Sequence, residues 1–385
     1  MSHRLTVQHL GPVAQADLAL GDLTILVGPQ ASGKSLLLQA FNAVEDLDAV
    51  VDALKRHGYH WEQSPSDLVE LLFGEGMRGL VSPRTEIVVD GEPWDLTAEA
   101  QARWSKRGRK GSRVFYMPAQ RVLTLQEGWP RPFTAFDVGV PFVVKQFSED
   151  LRRLLEEGLG GDALFPAERR WKREIRELVS DAIFQGAKVK VDPSRLRKRI
   201  VLEVGADGDQ LPFMSWSAGQ REFIPLMLGL YWLMPTQATP RRQSIEWVIV
   251  EEPEMGLHPR AITALALALL DLLKRDYKVV LSTHSPHLLE LVWAMNELRT
   301  HADFPDALCE LFGVRPTAAL REVGEAVLGK QTRVYALGHG AGGAVAKDIS
   351  SLDPGHPDPD VAGWGGLTDF AERAGDVVAR KAAAS

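Results

Sequence analysis

The stretch GPQASGKS, residues 28–35, decides the fold that this sequence predicts. It follows the apolar run LTILV and precedes LLLQAFNAV, so a buried strand leads into a glycine-containing loop and the loop into a helix. The spacing matches G-x-x-x-x-G-K-[ST] in the strand-to-helix context that the pattern requires. A fortuitous glycine-rich turn is the alternative, and the flanking strand and helix argue against it.

This loop predicts a phosphate-binding site. Its glycines allow successive backbone N–H groups to turn toward phosphate oxygens, and the helix N-terminus adds positive partial charge. Lys34 is expected to reach the β- and γ-phosphates of ATP, and the hydroxyl of Ser35 to bind Mg²⁺. The predicted ATP-binding residues of the loop are Gly28, Gln30, Ala31, Ser32, Gly33, Lys34 and Ser35.

A second apolar strand, in IEWVIVEEPE, ends in two acids. A phosphate-binding loop of this kind needs an acid for Mg²⁺ at the end of a neighbouring buried strand. We therefore expect Glu251 to serve the metal and Glu252 to be the general base for the attacking water. Two carboxylates at the end of an apolar strand are costly unless they hold a cation or a proton. An acidic start of the next helix is the simpler alternative.

Two further polar residues end predicted strands. His284, in VVLSTHS, is expected to sense the γ-phosphate and orient the water, although a lone histidine is usually structural. Gln120, in VFYMPAQR, is a candidate contact for Mg²⁺ or the attacking water. Arg121 beside it has two interpretations, a phosphate contact or an ion pair with an acid.

The stretch SWSAGQREF, residues 215–223, precedes a long apolar run. Its simplest interpretation is a helix start, in which Ser217 caps the helix and Gly219 relieves the backbone. The sharper hypothesis is half of a nucleotide site whose other half lies on a second molecule.

Composition sets the bounds of the protein class. The chain has 385 residues, 45% of them hydrophobic and 25% charged, with a single cysteine, Cys309. One cysteine excludes a disulfide framework and fits a reducing cytoplasm. No apolar run of about 18 residues and no signal-peptide core occur, so we expect a cytoplasmic protein without a membrane span.

Charge is distributed unevenly around a net charge of −7. Residues 101–200 hold 22 Lys and Arg against 12 Asp and Glu, so this part carries +10 and the remainder −17. Within it, RWSKRGRKGSR, residues 103–113, is expected to be a mobile loop. It could bind DNA backbone or an acidic partner, and a solvated loop is an equal alternative.

The pattern along the chain divides it into four parts. Residues 1–60 form the N-terminal part of the ATPase core, with short strands RLTVQHL, AQADLAL and LTILVG joined by tight turns. Residues 61–212 are an insert with β-hairpins and a helical lobe, residues 213–300 the second part of the core, and residues 301–385 a C-terminal extension. We expect 144–185 to be helical, and GHGAGGAV and DPGHPDPDVAGWGG in the tail to be loops.

The stretches GPQASGKS, WSAGQ, VIVEEPE and STHS, in this order, resemble the ATP-binding-cassette (ABC) class of ATPases. WSAGQ is similar to the LSGGQ signature, with Trp216 for Leu and Ala218 for the first Gly. The resemblance implies that Ser217, Gly219 and Gln220 contact ATP held by another copy. It also implies an α/β fold: an ABC-type P-loop ATPase head with a mixed central sheet, N-terminal antiparallel strands and an inserted helical lobe.

EEPEMGLHP is similar to the soluble branch of this class rather than to transporter cassettes. That branch includes SMC- and RecF-like proteins, OLD-family nucleases and AAA-type ATPase subunits of anti-phage systems of the Septu, Gabija and PARIS kinds. SAGQREFIPLMLGLYWL is most similar to the last group. Three positions depart from the general pattern, namely Glu251 in place of Asp, His258 in place of the Asp of transporters, and Pro225 within the signature helix.

The resemblance implies a function and excludes others. We expect an ATP-hydrolysing switch with ATP and Mg²⁺ as cofactors, which forms a homodimer or higher homo-oligomer and controls a separate effector protein in anti-phage defence. The alternative is a RecF-like DNA-binding ATPase of repair or recombination. Ten prolines in residues 36–216 argue against an SMC-like coiled coil. Asp358-Pro-Asp360 lies in a proline-rich segment, so we expect no nuclease site in this chain.

Overall fold

The computed structural model describes residues 3–106, 111–157, 163–168, 170–193, 197–235, 241–340 and 342–383. The strands, in chain order, are β1 His3–Leu10, β2 Val13–Leu20, β3 Leu23–Val27, β4 Glu86–Val89, β5 Glu92–Pro93, β6 Val114–Met117, β7 Leu125–Gln126, β8 Trp129–Pro130, β9 Ala163–Phe165, β10 Lys188–Asp192, β11 Arg199–Val204, β12 Asp209–Pro212, β13 Trp247–Glu251, β14 Lys278–Ser282, β15 Thr332–Gly340 and β16 Gly343–Asp348. The helices are α1 Lys34–Arg56, α2 Pro65–Phe73, α3 Leu96–Trp104, α4 Phe142–Glu157, α5 Arg173–Val179, α6 Ala218–Leu233, α7 Pro259–Lys274, α8 Pro286–Leu298, α9 Phe304–Leu311, α10 Ala318–Leu328, α11 Pro359–Ala362 and α12 Asp369–Ala383.

A ten-stranded mixed sheet organises the molecule, in the order β5-β4-β1-β2-β16-β15-β3-β14-β13-β6. Strands β15, β3, β14, β13 and β6 are parallel, so their carboxyl ends meet at one edge. Ligands of open α/β sheets bind at such an edge. The predicted mixed central sheet and the antiparallel N-terminal pair β1–β2 are both confirmed.

Both faces of this sheet are buried, which explains why its central strands are almost wholly apolar. Along β13, Val248 and Val250 face one core cluster, whereas Trp247 and Ile249 face the other. The first cluster includes residues of α6, α7 and α8, and the second includes residues of α1 and α2. The sheet therefore fixes the start of α1 and the end of β13 in one rigid frame.

The insert predicted over 61–212 contributes strands to three sheets. Its strands β4, β5 and β6 join the central sheet, β7 and β8 pair with each other, and β9–β12 form a separate four-stranded antiparallel sheet. The hairpins expected in this part include one at Asp90-Gly91, formed by β4 and β5. Residues 144–185 are not helical throughout, because β9 interrupts them and pairs with β10. Around α5, the predicted helical face is buried through Trp171, Ile175 and Val179.

The C-terminal extension also enters the central sheet, which the sequence analysis did not predict. Within GHGAGGAV, where a loop was expected, residues 338–340 end β15 and residues 343–345 begin β16. A Cβ at Gly343, whose φ is +129°, would lie 2.5 Å from the carbonyl oxygen of Pro12. These glycines therefore permit close approach between strands, and the composition was misinterpreted as that of a loop. Strands β2 and β3 are joined by the short connection that was predicted, and the β15–β16 hairpin lies between them in the sheet.

Helix α7 begins at Pro259 and runs for 16 residues. Helix α6 continues through Pro225. None of the helices in the described ranges is long and apolar enough to cross a membrane.

Candidate nucleotide-binding site

The loop between β3 and α1 is shaped by unusual backbone angles. Gly28, Ala31 and Gly33 have φ values of +140°, +60° and +91°. Positive φ values at these positions turn successive backbone N–H groups of the loop toward one point. A concave arrangement of N–H groups of this kind binds anions. Helix α1 starts at Lys34 and directs its N-terminus into the same space.

Lys34 is buried, and its Nζ donates to the carbonyl oxygens of Gly28 and Pro29, each at 2.8 Å. Burial lowers the pKa of Lys34, whereas the charges of Glu252 and Glu254 act in the opposite direction. The ammonium group of Lys34 therefore lies within the loop and donates to uncharged carbonyl oxygens. Phosphate oxygens could take the place of these carbonyl oxygens as acceptors.

Glu251, at the end of β13, is 1% exposed and bonded at both carboxylate oxygens. The hydroxyl of Tyr116 donates to Oε1, and the backbone N–H of Ala119 donates to Oε2 at 3.0 Å. Burial raises the pKa of Glu251, and these hydrogen bonds partly oppose that rise. Burial also raises the pKa of Tyr116 well above its usual value, so this phenol is a neutral donor.

Tyr116 was not among the site residues predicted from the sequence. It lies on β6, where it is paired in parallel register with Ile249 of β13, two residues before Glu251. Only that register places its hydroxyl on the carboxylate. The stretch VFYMPAQR carried a partial signal, since its tyrosine stands at a buried strand position and needs a hydrogen-bond partner there.

Glu252 follows directly and has a positive φ of 41°. Its backbone N–H donates to the carbonyl oxygen of Ser282 at 2.9 Å, and its Oε1 lies 3.5 Å from Nε2 of His284. The backbone N–H of His284 donates to Oε1 of Glu254 at 2.6 Å. These contacts join the ends of β13 and β14, so the predicted base and the predicted sensor are neighbours.

A cleft of about 560 Å³ lies over the loop, within the size range of small-molecule sites. Its lining residues are Gly11, Pro12, Gln30, Ala31, Ser32, Gly33, Lys34, Ser35, Leu36, Gly76, Met77, Gly79, Leu80, Glu252 and His284. The structure thus brings together most of the predicted loop residues, Glu252 and His284. It adds two turns that the sequence analysis did not assign, around Pro12 and Met77.

The predicted signature residues lie elsewhere. Ser217, Gly219, Gln220 and also Gln120 are absent from the residues that line this cleft. Ser217 is exposed at the start of α6, where its Oγ accepts from the backbone N–H of Gln220 at 3.3 Å. The side chain of Gln220 accepts in return from the backbone N–H of Ser217 at 3.1 Å. The expected helix cap is therefore present as a reciprocal capping box.

Gln120 is exposed after the end of β6. Arg121 is fully buried and donates to backbone carbonyl oxygens, with Glu222 as the nearest acid at 3.7 Å. Of its two interpretations, the ion pair with an acid is present, to Glu222, whereas Arg121 is not among the residues that line the cleft.

The residues proposed for Mg²⁺ are chemically suited to it, since Mg²⁺ prefers oxygen ligands and keeps several waters. Ser35 lines the cleft, and Glu251 is buried and directly precedes Glu252, which also lines it. Oγ of Ser282 and Oε2 of Glu254 are buried and have no hydrogen-bond partner among the described residues. No group of three or more His, Cys, Asp or Glu side chains that could hold a metal occurs in the described ranges, so the metal would depend on substrate oxygens.

The acidic pair Asp358 and Asp360 and the described residues of the basic stretch 103–113 all lie outside the cleft lining. Nζ of Lys347 lies 2.5 Å from a carboxylate oxygen of Asp358 and 2.8 Å from Oδ2 of Asp360, so both acids are paired with a cation. The basic stretch 103–113 was predicted to be a loop that could bind DNA or an acidic partner. Its residues 107–110 lie outside the described residues.

The family profile described as "AAA domain, putative AbiEii toxin, Type IV TA system" matches residues 23–290, more than two thirds of the chain. The chain belongs to the AAA_21 family. The prediction of an ABC-class AAA-type ATPase is thereby confirmed, and the family supports a nucleotide-binding function for this AAA_21 protein.

Individual relatives of the AAA_21 protein are more distant. The Old nuclease of Escherichia phage P2 is 27% identical over 124 residues, which are 32% of this chain and 20% of that protein. The match therefore spans about a fifth of the relative's length. Among solved structures, the SMC head bound to the winged-helix domain of ScpA is 10% identical, with a TM-score of 0.44, over 90% of this chain and 96% of that chain. The SMC head domain of Thermotoga maritima is also 10% identical, with a TM-score of 0.33, over 90% and 99%.

Proposed function

We propose that this AAA_21 protein hydrolyses ATP as a molecular switch, that two copies close head to tail around Mg-ATP, and that closure controls a separate effector in bacterial anti-phage defence. One observation carries the proposal. The cleft holds the loop, Glu252 and His284, whereas Ser217 stands exposed on a capped helix start outside it. Each chain thus presents one part of a site that a second copy would complete.

In the proposed reaction, the chain positions a water molecule and stabilises a transferring phosphoryl group. Backbone N–H groups of residues 30–34 and the ammonium group of Lys34 hold the phosphates. Glu252 accepts a proton from the attacking water, and His284, 3.5 Å away, orients that water. Ser35 and Glu251 would help to hold Mg²⁺, which would neutralise phosphate charge. Positioning and charge neutralisation are the main catalytic contributions.

The start of α6 suits the role of a site half offered to another copy. The free N–H groups and positive partial charge of a helix N-terminus favour an anion. Its capping box holds Ser217 in a fixed conformation, and Trp216 anchors the turn because its Nε1 donates to the carbonyl oxygen of Leu211 at 3.0 Å. Ser217 and Gly219 would approach the γ-phosphate bound by the second copy.

The assignment to defence is supported by the family description and the phage relative. The family includes proteins described as putative toxins of a type IV toxin–antitoxin system, and the relative is a nuclease of a phage. We place the destructive activity on a separate effector protein because Asp358 and Asp360 are both paired with Lys347.

Mixing two inactive variants tests the shared site. Lys34→Ala removes the phosphate ligand, and Ser217→Asp keeps a capping acceptor but places negative charge against phosphate. A mixed dimer has one intact site, formed by the loop of the Ser217→Asp copy and the signature of the Lys34→Ala copy. We expect about a quarter of wild-type hydrolysis in an equal mixture, since half the dimers are mixed and each has one good site. No recovery on mixing would disprove head-to-tail closure.

A further inference from the structure

Arg121 connects three segments of the chain. Its guanidinium group donates from Nη1 to the carbonyl oxygen of Glu251 at 3.0 Å and from Nη2 to that of Glu252 at 3.1 Å. Its Nε donates to the carbonyl oxygen of Glu222 in α6 at 3.2 Å. The side chain is fully buried. One guanidinium group therefore contacts the backbone of Glu251, the backbone of Glu252 and the backbone of α6, the helix that begins at the signature residues.

Only arginine can make this set of contacts. The planar guanidinium group carries five N–H donors in fixed directions, whereas the three donors of a lysine share one nitrogen. An apolar replacement would remove a buried donor from three carbonyl groups, of which that of Glu252 also accepts from the backbone N–H of Met255 at 3.0 Å. Burial disfavours the charge, and the surrounding carboxylates of Glu222, Glu254, Glu252 and Glu251 oppose that effect.

A second contact joins the same two elements. A Cβ at Gly219 would lie 2.8 Å from the carbonyl oxygen of Gly256, in the turn that follows Glu254. On the other side of the contact, a Cβ at Gly256 would lie 3.0 Å from Cγ of Glu222. The start of α6 and the segment after β13 thus touch through backbone, so a shift of one displaces the other.

We propose that Arg121 is a positioning residue that couples the acids of a chain's own nucleotide site to the signature that the same chain offers to the site of a second copy. This inference rests on the proposed head-to-tail closure. The acids respond to the nucleotide in their own cleft, and the clamp transmits their position to Ser217 and Gly219. The two nucleotide sites of the dimer are therefore linked through each chain.

The mixed dimer described above provides the test, because its single intact site takes its acids from the Ser217→Asp copy and its signature from the Lys34→Ala copy. Arg121→Lys is added to either copy in turn. A coupling role predicts a loss of about tenfold or more in kcat in both placements, since small misplacements of catalytic groups cost this much. ATP binding by the singly substituted Arg121→Lys protein is expected to stay within about threefold of wild type.

Loss only when the acid-supplying copy carries Arg121→Lys would overturn the coupling and leave Arg121 a role in its own site alone. Loss in neither placement would overturn any positioning role. Absence of activity in the parent mixture overturns both the proposed closure and this inference, and is recognised before Arg121 is changed. Arg170→Lys is the matched control, because Arg170 also donates to a backbone carbonyl, that of Tyr231 at 2.8 Å, far along α6.

Glu222→Ala tests the same coupling if Arg121→Lys fails to fold. It removes the side chain next to Gly256 and the acid closest to Arg121, while the backbone carbonyl remains. The coupling again predicts loss of kcat in both placements with ATP binding retained. A loss confined to the acid-supplying copy, or none in either, contradicts it.

Discussion

Nε2 of His284 lies 3.5 Å from Oε1 of Glu252, at the mouth of the nucleotide cleft. The two side chains come from neighbouring parallel strands, and the backbone bond from Glu252 to Ser282 fixes their separation. A water molecule bound between them would meet a proton acceptor and an orienting group together.

Glu252→Gln is expected to lower hydrolysis at least about 100-fold, because the amide cannot accept the proton of the attacking water. ATP binding should persist, so the variant should accumulate as an ATP-bound dimer. Size-exclusion chromatography with light scattering, with ATP and with ADP, measures this. Glu297→Gln, which changes an exposed acid on α8, is the control and should behave as wild type. A Glu252→Gln protein that stays monomeric with ATP contradicts the switch.

Tyr116→Phe is expected to move the acid limb of the pH–activity profile to higher pH. The Tyr116 hydroxyl lowers the pKa of Glu251 by hydrogen bonding, against the rise caused by burial. Without that bond the pKa of Glu251 rises, the carboxyl group is protonated at higher pH, and Mg²⁺ is lost there. Profiles of kcat/KM against pH at saturating Mg²⁺ measure the shift.

Tyr277→Phe is the matched control for that experiment. Its hydroxyl is also buried in the core but donates to the carbonyl oxygen of Leu233, away from the cleft. This variant should lose about 1 kcal/mol of stability without moving the acid limb. Superimposable profiles for Tyr116→Phe and wild type would show that Glu251 does not depend on the tyrosine.

Gly219→Ala is expected to destabilise the folded chain by about 1–3 kcal/mol, because its Cβ would press on the Gly256 carbonyl oxygen at 2.8 Å. Thermal unfolding measures the change. Gly375→Ala, in the exposed helix α12, is the control, since no atom lies within 4 Å of its added Cβ. That control should leave the melting temperature unchanged or slightly higher. Equal melting temperatures for Gly219→Ala and wild type would contradict the close contact.

Asp150→Asn is expected to stabilise the protein above about pH 7 and to have no effect below about pH 4. Burial raises the pKa of Asp150 to about 7 from 3.8 in the unfolded chain. The native state therefore holds a proton that the unfolded state releases, and stability falls as pH rises from about 4 to 7. The gain at neutral pH is at most about 4 kcal/mol, and it is measured by urea unfolding across pH.

Asparagine suits this test because its side-chain oxygen can still accept from Nε2 of Gln146, which lies 2.9 Å from Oδ1 of Asp150. Asp48→Asn, which removes a part-exposed carboxylate of α1 that pairs with Arg103 at 3.2 Å, is the comparison for loss of a carboxylate outside the core. A stability gain of equal size at pH 4 and pH 8 would show that the carboxyl group does not titrate as described.

The sequence allowed prediction of those parts of the site that local spacing determines. A phosphate loop requires its glycines, Lys34 and Ser35 within eight consecutive positions, and the acids and His284 directly end strands. Such patterns are visible without knowledge of tertiary contacts. The strand before the loop and the helix after it are present as β3 and α1.

Contacts across strands could not be predicted in this way. Tyr116 reaches Glu251, and Arg121 reaches Glu222, only through a register between segments that are more than 100 residues apart. The same limit explains the failure to place β15 and β16. Their glycine-rich sequence lacks a strand pattern, and the neighbours that make it a strand lie near the N-terminus.

Strand β15 is synthesised long after β3, although the two strands are neighbours in the sheet. Strand β3 and the loop that follows it are made about 300 residues before Thr332, which at ordinary rates of translation corresponds to about 15–60 s. Throughout that interval one edge of β3 has no strand to pair with, and unpaired edges invite wrong partners. The nascent protein therefore carries its phosphate loop on an unfinished sheet until the last two strands arrive.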